Sequence, residues 1–249
     1  MLDSELAGRL AQELCDRGAT AVVVTGSAAR GNAHTESDID FLAIGTGPEY
    51  RLRREEGRLI SESWRRHDDV LRTFDDPGEA GYVVPGWRTA IILADPHREA
   101  RAIIAGAHTW TWNRIGAERC DAWVAEELTS YAEEVHKLVV ALERDAVTTA
   151  AVQRSVLALR LARIMSVHLR LLYETENQLW DLVNGQLGEP WTAIQRQALG
   201  LGDEPFVETC RAALVLYALA CEATKSVFDE RQRAVVAHAA ELASRVETR

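Results

Sequence analysis

The sequence has no arrangement of cysteines that would staple a fold or grip a metal. Its four (Cys15, Cys120, Cys210 and Cys221) are scattered through 249 residues. There is no C-x-x-C and no histidine at ligand spacing, so neither a disulfide framework nor a zinc site is encoded. They read as small buried hydrophobes in a reducing compartment. Basic residues are also in deficit, with 28 Lys and Arg against 38 Asp and Glu and a net charge of −10. Binding a phosphate backbone needs the opposite balance, which excludes non-specific nucleic-acid binding as the main role. An acidic surface suits a cationic small molecule better. No window of eighteen residues is free of charge, so no membrane-spanning helix is expected. The opening MLDSELAGRLAQEL has acids where a secretory signal needs a basic and then an apolar stretch, and a cytoplasmic location is expected. With only 16 Gly and 6 Pro, and 47% hydrophobic residues, the composition excludes a mainly disordered chain.

The hydrophobic pattern changes character along the chain. Leu6, Leu10 and Leu14 predict a helix over 3–17, stopped by Gly18. TAVVVT (20–25) and SDIDFLAIG (37–45) read as buried strands, EYRLRREEG (49–57) as a polar helical turn or two, and RLISESW (58–64) as an alternating strand. HDDVLRTFDDPG predicts a short helix ended by Pro77 and Gly78, TAIILADP (89–96) another buried strand, and Pro96 the start of a further helix. Beyond residue 107 only helical patterns remain, over 117–145, 148–176, 177–186, 190–200, 204–224 and 228–247. Val156, Leu159, Ala162, Ile164 and Val167 recur there as a bundle core requires. The expected class is α+β: an α/β domain with a short mixed sheet over 1–107, then an all-helical bundle over 108–249.

The chemistry-bearing residues lie in VVVTGSAARGNAHTESDIDFLAIG (22–45). A strand running into Gly26 and Ser27 can open a helix whose unpaired N–H groups face an anion. Gly26 admits a phosphate to the backbone, Ser27 adds a hydroxyl and Arg30 can reach a polyphosphate. Twelve residues after Gly26, Asp38 and Asp40 sit at i and i+2, on one face of the next strand, with Ile39 and Phe41 turned into the core. Two carboxylates so placed repel unless a cation lies between them. Phosphate donors facing paired carboxylates suit a Mg²⁺–nucleotide complex.

GSAARG followed by SDIDFL resembles the motif of the polymerase-β-like nucleotidyltransferase superfamily. The order of elements that follows is similar to its aminoglycoside and lincosamide nucleotidyltransferase branch. The resemblance implies nucleotidyl transfer from ATP, with Gly26, Ser27 and Arg30 binding the nucleotide and Asp38 and Asp40 holding Mg²⁺, two ions in all. It also implies a third carboxylate on a neighbouring strand. Glu62, the only acid of RLISESW, is the candidate, as metal ligand, general base or both. Asp68 and Asp69 read as helix-start residues and Asp75 and Asp76 as turn residues. The expected acceptor is a small hydroxylated molecule, cationic in the aminoglycoside case, held between the domains. Candidate contacts are Glu126, Glu127, Glu133, Glu134, Glu174 and Glu176, each also readable as an ordinary solvated acid. His136 and His168 are assigned no role. Two alternatives stand beside this: transfer to a protein partner, as in adenylylating antitoxins, and a noncatalytic nucleotide-binding module. Neither nucleic acid nor membrane is expected as a partner, and the chain could be a monomer or a homodimer.

Overall fold

The computed structural model describes residues 4–34 and 36–247, apart from the side chains at 246 and 247. The Asp3 start expected for the first helix lies outside them. The chain forms two compact units. One takes the residues up to Arg114 together with Leu172–Thr175; the other takes Ile115–Leu171 and the residues from Glu176 onward. Among the described residues no helix is long and apolar enough to cross a membrane.

In the first unit α1 (Ser4–Asp16) buries Leu6, Leu10 and Leu14 on one stripe. Five strands follow: β1 (Ala21–Thr25), β2 (Ile39–Ile44), β3 (Tyr50–Glu55), β4 (Arg58–Arg65) and β5 (Ile91–Ala94). They form one mixed sheet in the order β3-β4-β2-β1-β5. β2 and β4 run parallel, and every other neighbouring pair is antiparallel. Leu6, Leu10 and Leu14 of α1 share one core with Val22, Val24, Ile39, Phe41, Ile60 and Trp64. Each large apolar side chain so buried contributes about 1.5–3 kcal/mol, which fixes the side to which each strand turns its alternate residues.

Three expectations for this unit need correction. Residues 50–55 are not helical but form β3, an edge strand paired to β4. Glu56 and Gly57, at φ 47° and 80°, make the two-residue loop between Glu55 and its partner Arg58. Positive φ at both central residues is what a tight hairpin demands, and glycine supplies one of them. Pro77 and Gly78 do not end a helix, since α3 (His67–Thr73) has already stopped. They begin α4 (Pro77–Arg88), with Asp76 as N-cap accepting from the Gly78 N–H at 2.8 Å; proline suits a first turn because its missing N–H needs no partner there. Finally, β5 is a half-exposed edge strand rather than a buried one. The next helix, α5 (Glu99–Thr109), is capped from Asp95, whose carboxylate accepts from the Ala100 and Arg101 N–H groups.

The second unit is helical: α6 (Ala117–Glu143), α7 (Val147–His168), α8 (Glu176–Leu187), α9 (Trp191–Ala198), α10 (Phe206–Ala223) and α11 (Glu230–Glu247). α6 packs against α7 and α11, and α10 against α7 and α9. Leu128, Leu138, Leu157 and Tyr217 are buried in its core, and the Tyr217 hydroxyl donates to the Leu128 carbonyl at 2.8 Å. Helix α7 ends at His168, not near 176, and Leu159 points to solvent. Cys120, Cys210 and Cys221 are buried free thiols. Burial pushes all three up, Cys221 to about 12, which makes them poor nucleophiles.

Candidate active site

β1 delivers the chain to Gly26 at φ 68°, and α2 (Gly26–Arg30) turns it back at Gly31, φ 73°. With five residues α2 has little macrodipole, so the groups it could offer an anion are local N–H groups, the Ser27 hydroxyl and Arg30. In the antiparallel register of β1 with β2, Thr25 lies opposite Asp40. The Asp40 carboxylate therefore folds over Gly26, whose Cβ, were there one, would stand 2.2 Å from Asp40 Oδ2. The glycine is required twice, by its φ and by this approach.

Asp38 and Asp40 are half-buried and close enough to repel. Burial, and then the Asp38 charge, push the Asp40 carboxyl above the usual carboxylate range. A hydrogen bond from the Ser61 hydroxyl and the charge of Arg30 oppose that rise. The loop before Asp38 is pinned: Ser37 accepts on its hydroxyl from the His34 N–H at 2.9 Å and on its carbonyl from Arg58 Nη2 at 3.3 Å.

Glu62 does not join these acids. Parallel pairing sets Asp40 beside Ser61 and Phe41 beside Glu62. Cross-strand partners share a face, so Glu62 lies with Phe41 on the core side of the sheet. It is 1% exposed there, hydrogen-bonded by Arg17 Nη1 at 3.0 Å. Arg53 Nε lies 2.7 Å from its other oxygen, in ionic contact but not aligned as a hydrogen bond. Glu13, on α1, accepts from Arg53 Nη2 at 2.9 Å and extends the network. Glu62 is thus an anchor between α1, β3 and β4, with no geometry for ligating a metal beside Asp38 and Asp40. Ser61 stands in the place expected of the acid.

One site contact was not foreseen. Leu172–Thr175 is part of the first unit, where the Tyr173 N–H donates to the Gly81 carbonyl at 3.0 Å and its ring lies 5.9 Å from that of Tyr82. This brings Glu174 to Arg30. Arg30 Nη1 donates to the Glu174 carbonyl at 3.1 Å, and Nε lies 3.6 Å from its carboxylate. The other candidate acids belong to the second unit. Glu133 and Glu134 both pair with Lys137, Glu176 opens α8, Glu126 is exposed, and Glu127 lines a cavity with Trp123, Tyr131, Arg160 and Arg163. Burial lowers the pKa of His168, as does the charge of Arg170, and it lies in the second unit.

The donor set fits a divalent cation in one respect. The two repelling carboxylates at Asp38 and Asp40 are stabilised by positive charge, and oxygen ligands of this kind suit Mg²⁺. Among the described residues no group of three or more His, Cys, Asp or Glu side chains could hold a metal.

Comparison with known proteins gives the family. No curated protein matches the sequence. A nucleotidyltransferase-like protein from Exiguobacterium sibiricum, whose crystal structure is known at 1.90 Å resolution, is similar in fold with a TM-score of 0.56. It is 12% identical, over 90% of this chain and 76% of its own. The family model of the nucleotidyltransferase domain matches residues 8–153, more than half of the chain and the whole of the Gly26-to-Asp40 site. The chain belongs to the nucleotidyltransferase-domain family and is a nucleotidyltransferase.

Proposed function

We propose that this enzyme transfers AMP from ATP to a hydroxyl of a small cationic acceptor, in the manner of the aminoglycoside and lincosamide nucleotidyltransferases, with Mg²⁺ held by Asp38 and Asp40. The observation that carries the reading is the seating of Asp40 over Gly26. It puts the Asp40 carboxylate against the turn whose amides, Ser27 and Arg30 are suited to a triphosphate. When bound, the ion supplies Lewis-acid neutralisation of charge on the phosphate oxygens. Ser27 and Arg30 bind and orient the β- and γ-phosphates, and Gly26 lets them approach the backbone. The acceptor oxygen attacks the α-phosphorus in line, the bond from that phosphorus to the bridging oxygen breaks, and pyrophosphate leaves with the electron pair. The hydroxyl proton passes to solvent, because Glu62 is sealed in its ion pairs on the other face. Positioning and charge stabilisation carry the catalysis, since phosphoryl-type transfers ask little covalent chemistry of the protein. The net charge of −10 supports a cationic acceptor.

The test is release of pyrophosphate from each nucleoside triphosphate, with Mg²⁺, across aminoglycosides, lincosamides and other hydroxylated small molecules. ATP with a cationic sugar-like acceptor is expected to give stoichiometric pyrophosphate and an adenylylated product by mass. Release that depends on no small acceptor, with the added AMP mass found on a protein instead, would overturn the small-acceptor reading.

A further inference from the structure

The face of the sheet that carries Asp40 is defined by register. Across β4 it continues through Leu59, Ser61 and Ser63, and across β3 through Tyr50 and Leu52. None of these is acidic. Ser61, the partner of Asp40, is buried, and its hydroxyl is committed to the Asp40 carboxylate. The acid one residue further on, Glu62, is turned to the core and paired with Arg17 and Arg53.

Two divalent ions working together sit only about 3.5–4 Å apart and bring four positive charges into that space. Beside the triphosphate, whose charge is the same for one ion or two, the protein offers only the two negative charges of Asp38 and Asp40, and a serine hydroxyl adds a dipole without charge. A lone Mg²⁺ is a better match, since it characteristically takes one or two carboxylates and completes its octahedron with waters and substrate phosphates. We infer that the site takes a single divalent cation with each bound nucleoside triphosphate, and that Ser61 is the residue that sets that number. The inference rests on Asp38 and Asp40 being the metal ligands of the proposed function. It replaces the two ions expected from the resemblance.

The experiment counts ions, independently of turnover. The full chain is saturated with a non-hydrolysable ATP analogue and titrated with Mn²⁺, and free Mn²⁺ is followed by electron paramagnetic resonance. One ion per protein–nucleotide complex is expected for the wild type and for Ser61→Ala. Two are expected for Ser61→Asp, which sets a third carboxylate beside Asp40. Two ions in the wild type would overturn the inference whether or not Ser61→Asp folds. One ion in a folded Ser61→Asp would remove Ser61 from its role. A different failure marks the parent reading: a single ion held no more weakly in Asp40→Asn than in the wild type would be bound by the nucleotide alone, and Asp38 and Asp40 would not be ligands.

Discussion

Asp40 occupies the space that a side chain at Gly26 would need, its Oδ2 only 2.2 Å from the position of a Cβ there. One of the two must give way in Gly26→Ala. The backbone at φ 68° adds strain of about 1–3 kcal/mol for a residue with a Cβ. A carboxylate displaced by an ångström costs on the order of 100-fold in rate. Pyrophosphate release should fall by at least that much while urea denaturation shows a loss of only the strain energy. Wild-type turnover in Gly26→Ala would mean that Asp40 is not where the chemistry needs it.

Glu62 should behave as a structural anchor. Glu62→Gln keeps the shape and removes the charge that Arg17 and Arg53 face, and a loss of about 1–3 kcal/mol is expected, tempered by the partial exposure of both arginines. Mn²⁺ affinity should not change. Lost metal binding at unchanged stability would return Glu62 to the active site.

These two residues show how far the sequence can be read. Alternation alone turns Ile39 and Phe41 into the core, as observed, and within RLISESW it groups Glu62 with Ile60 and Trp64. What alternation does not give is register between strands, which decides whether Glu62 or Ser61 is the neighbour of Asp40. A clue was present in the apolar flanks Ile60 and Trp64, since a face shared with them is the core face. The Glu56–Gly57 hairpin was missed for a related reason. The charges of β3 look like a polar helix until Gly57 is taken as the tight turn that pairs Glu55 with Arg58. The Glu174–Arg30 contact had no local signal at all, because it joins residues from distant parts of the chain through a segment with no periodicity of its own.

Asp40 gives the metal-free protein a pH signature. Its folded pKa is raised by burial and by Asp38, so over a window starting at the ordinary carboxylate value and extending upward the folded state keeps a proton that the unfolded state has released. Stability then falls as pH rises through that window. Asp40→Asn carries no such group. In EDTA its thermal midpoint should gain on the wild type as pH rises through the window and stay higher at neutral pH, and Mg²⁺ with ATP should close the gap. A difference between the two proteins that does not vary with pH would contradict the burial and repulsion assigned to Asp40.

Arg30 and Glu174 should act on nucleotide affinity with opposite signs. Arg30 is 12% exposed, held through Nη1 by the Glu174 carbonyl and through Nε by its carboxylate. In the proposed function Arg30 is a charged donor to the phosphates, so Arg30→Ala should weaken ATP binding roughly 10- to 100-fold, the range for a hydrogen bond to a charged group. Glu174→Gln leaves the backbone carbonyl, and with it one anchor of Arg30, while removing a negative charge beside an anion site. The half-exposed carboxylate is worth no more than about 1 kcal/mol, so ATP affinity should improve about 2- to 5-fold with little change in stability. Equilibrium binding of a fluorescent ATP analogue at fixed ionic strength measures both effects, and high salt should shrink the second. If Glu174→Gln instead weakened binding as much as Arg30→Ala, the carboxylate would be orienting Arg30 rather than competing with phosphate for it.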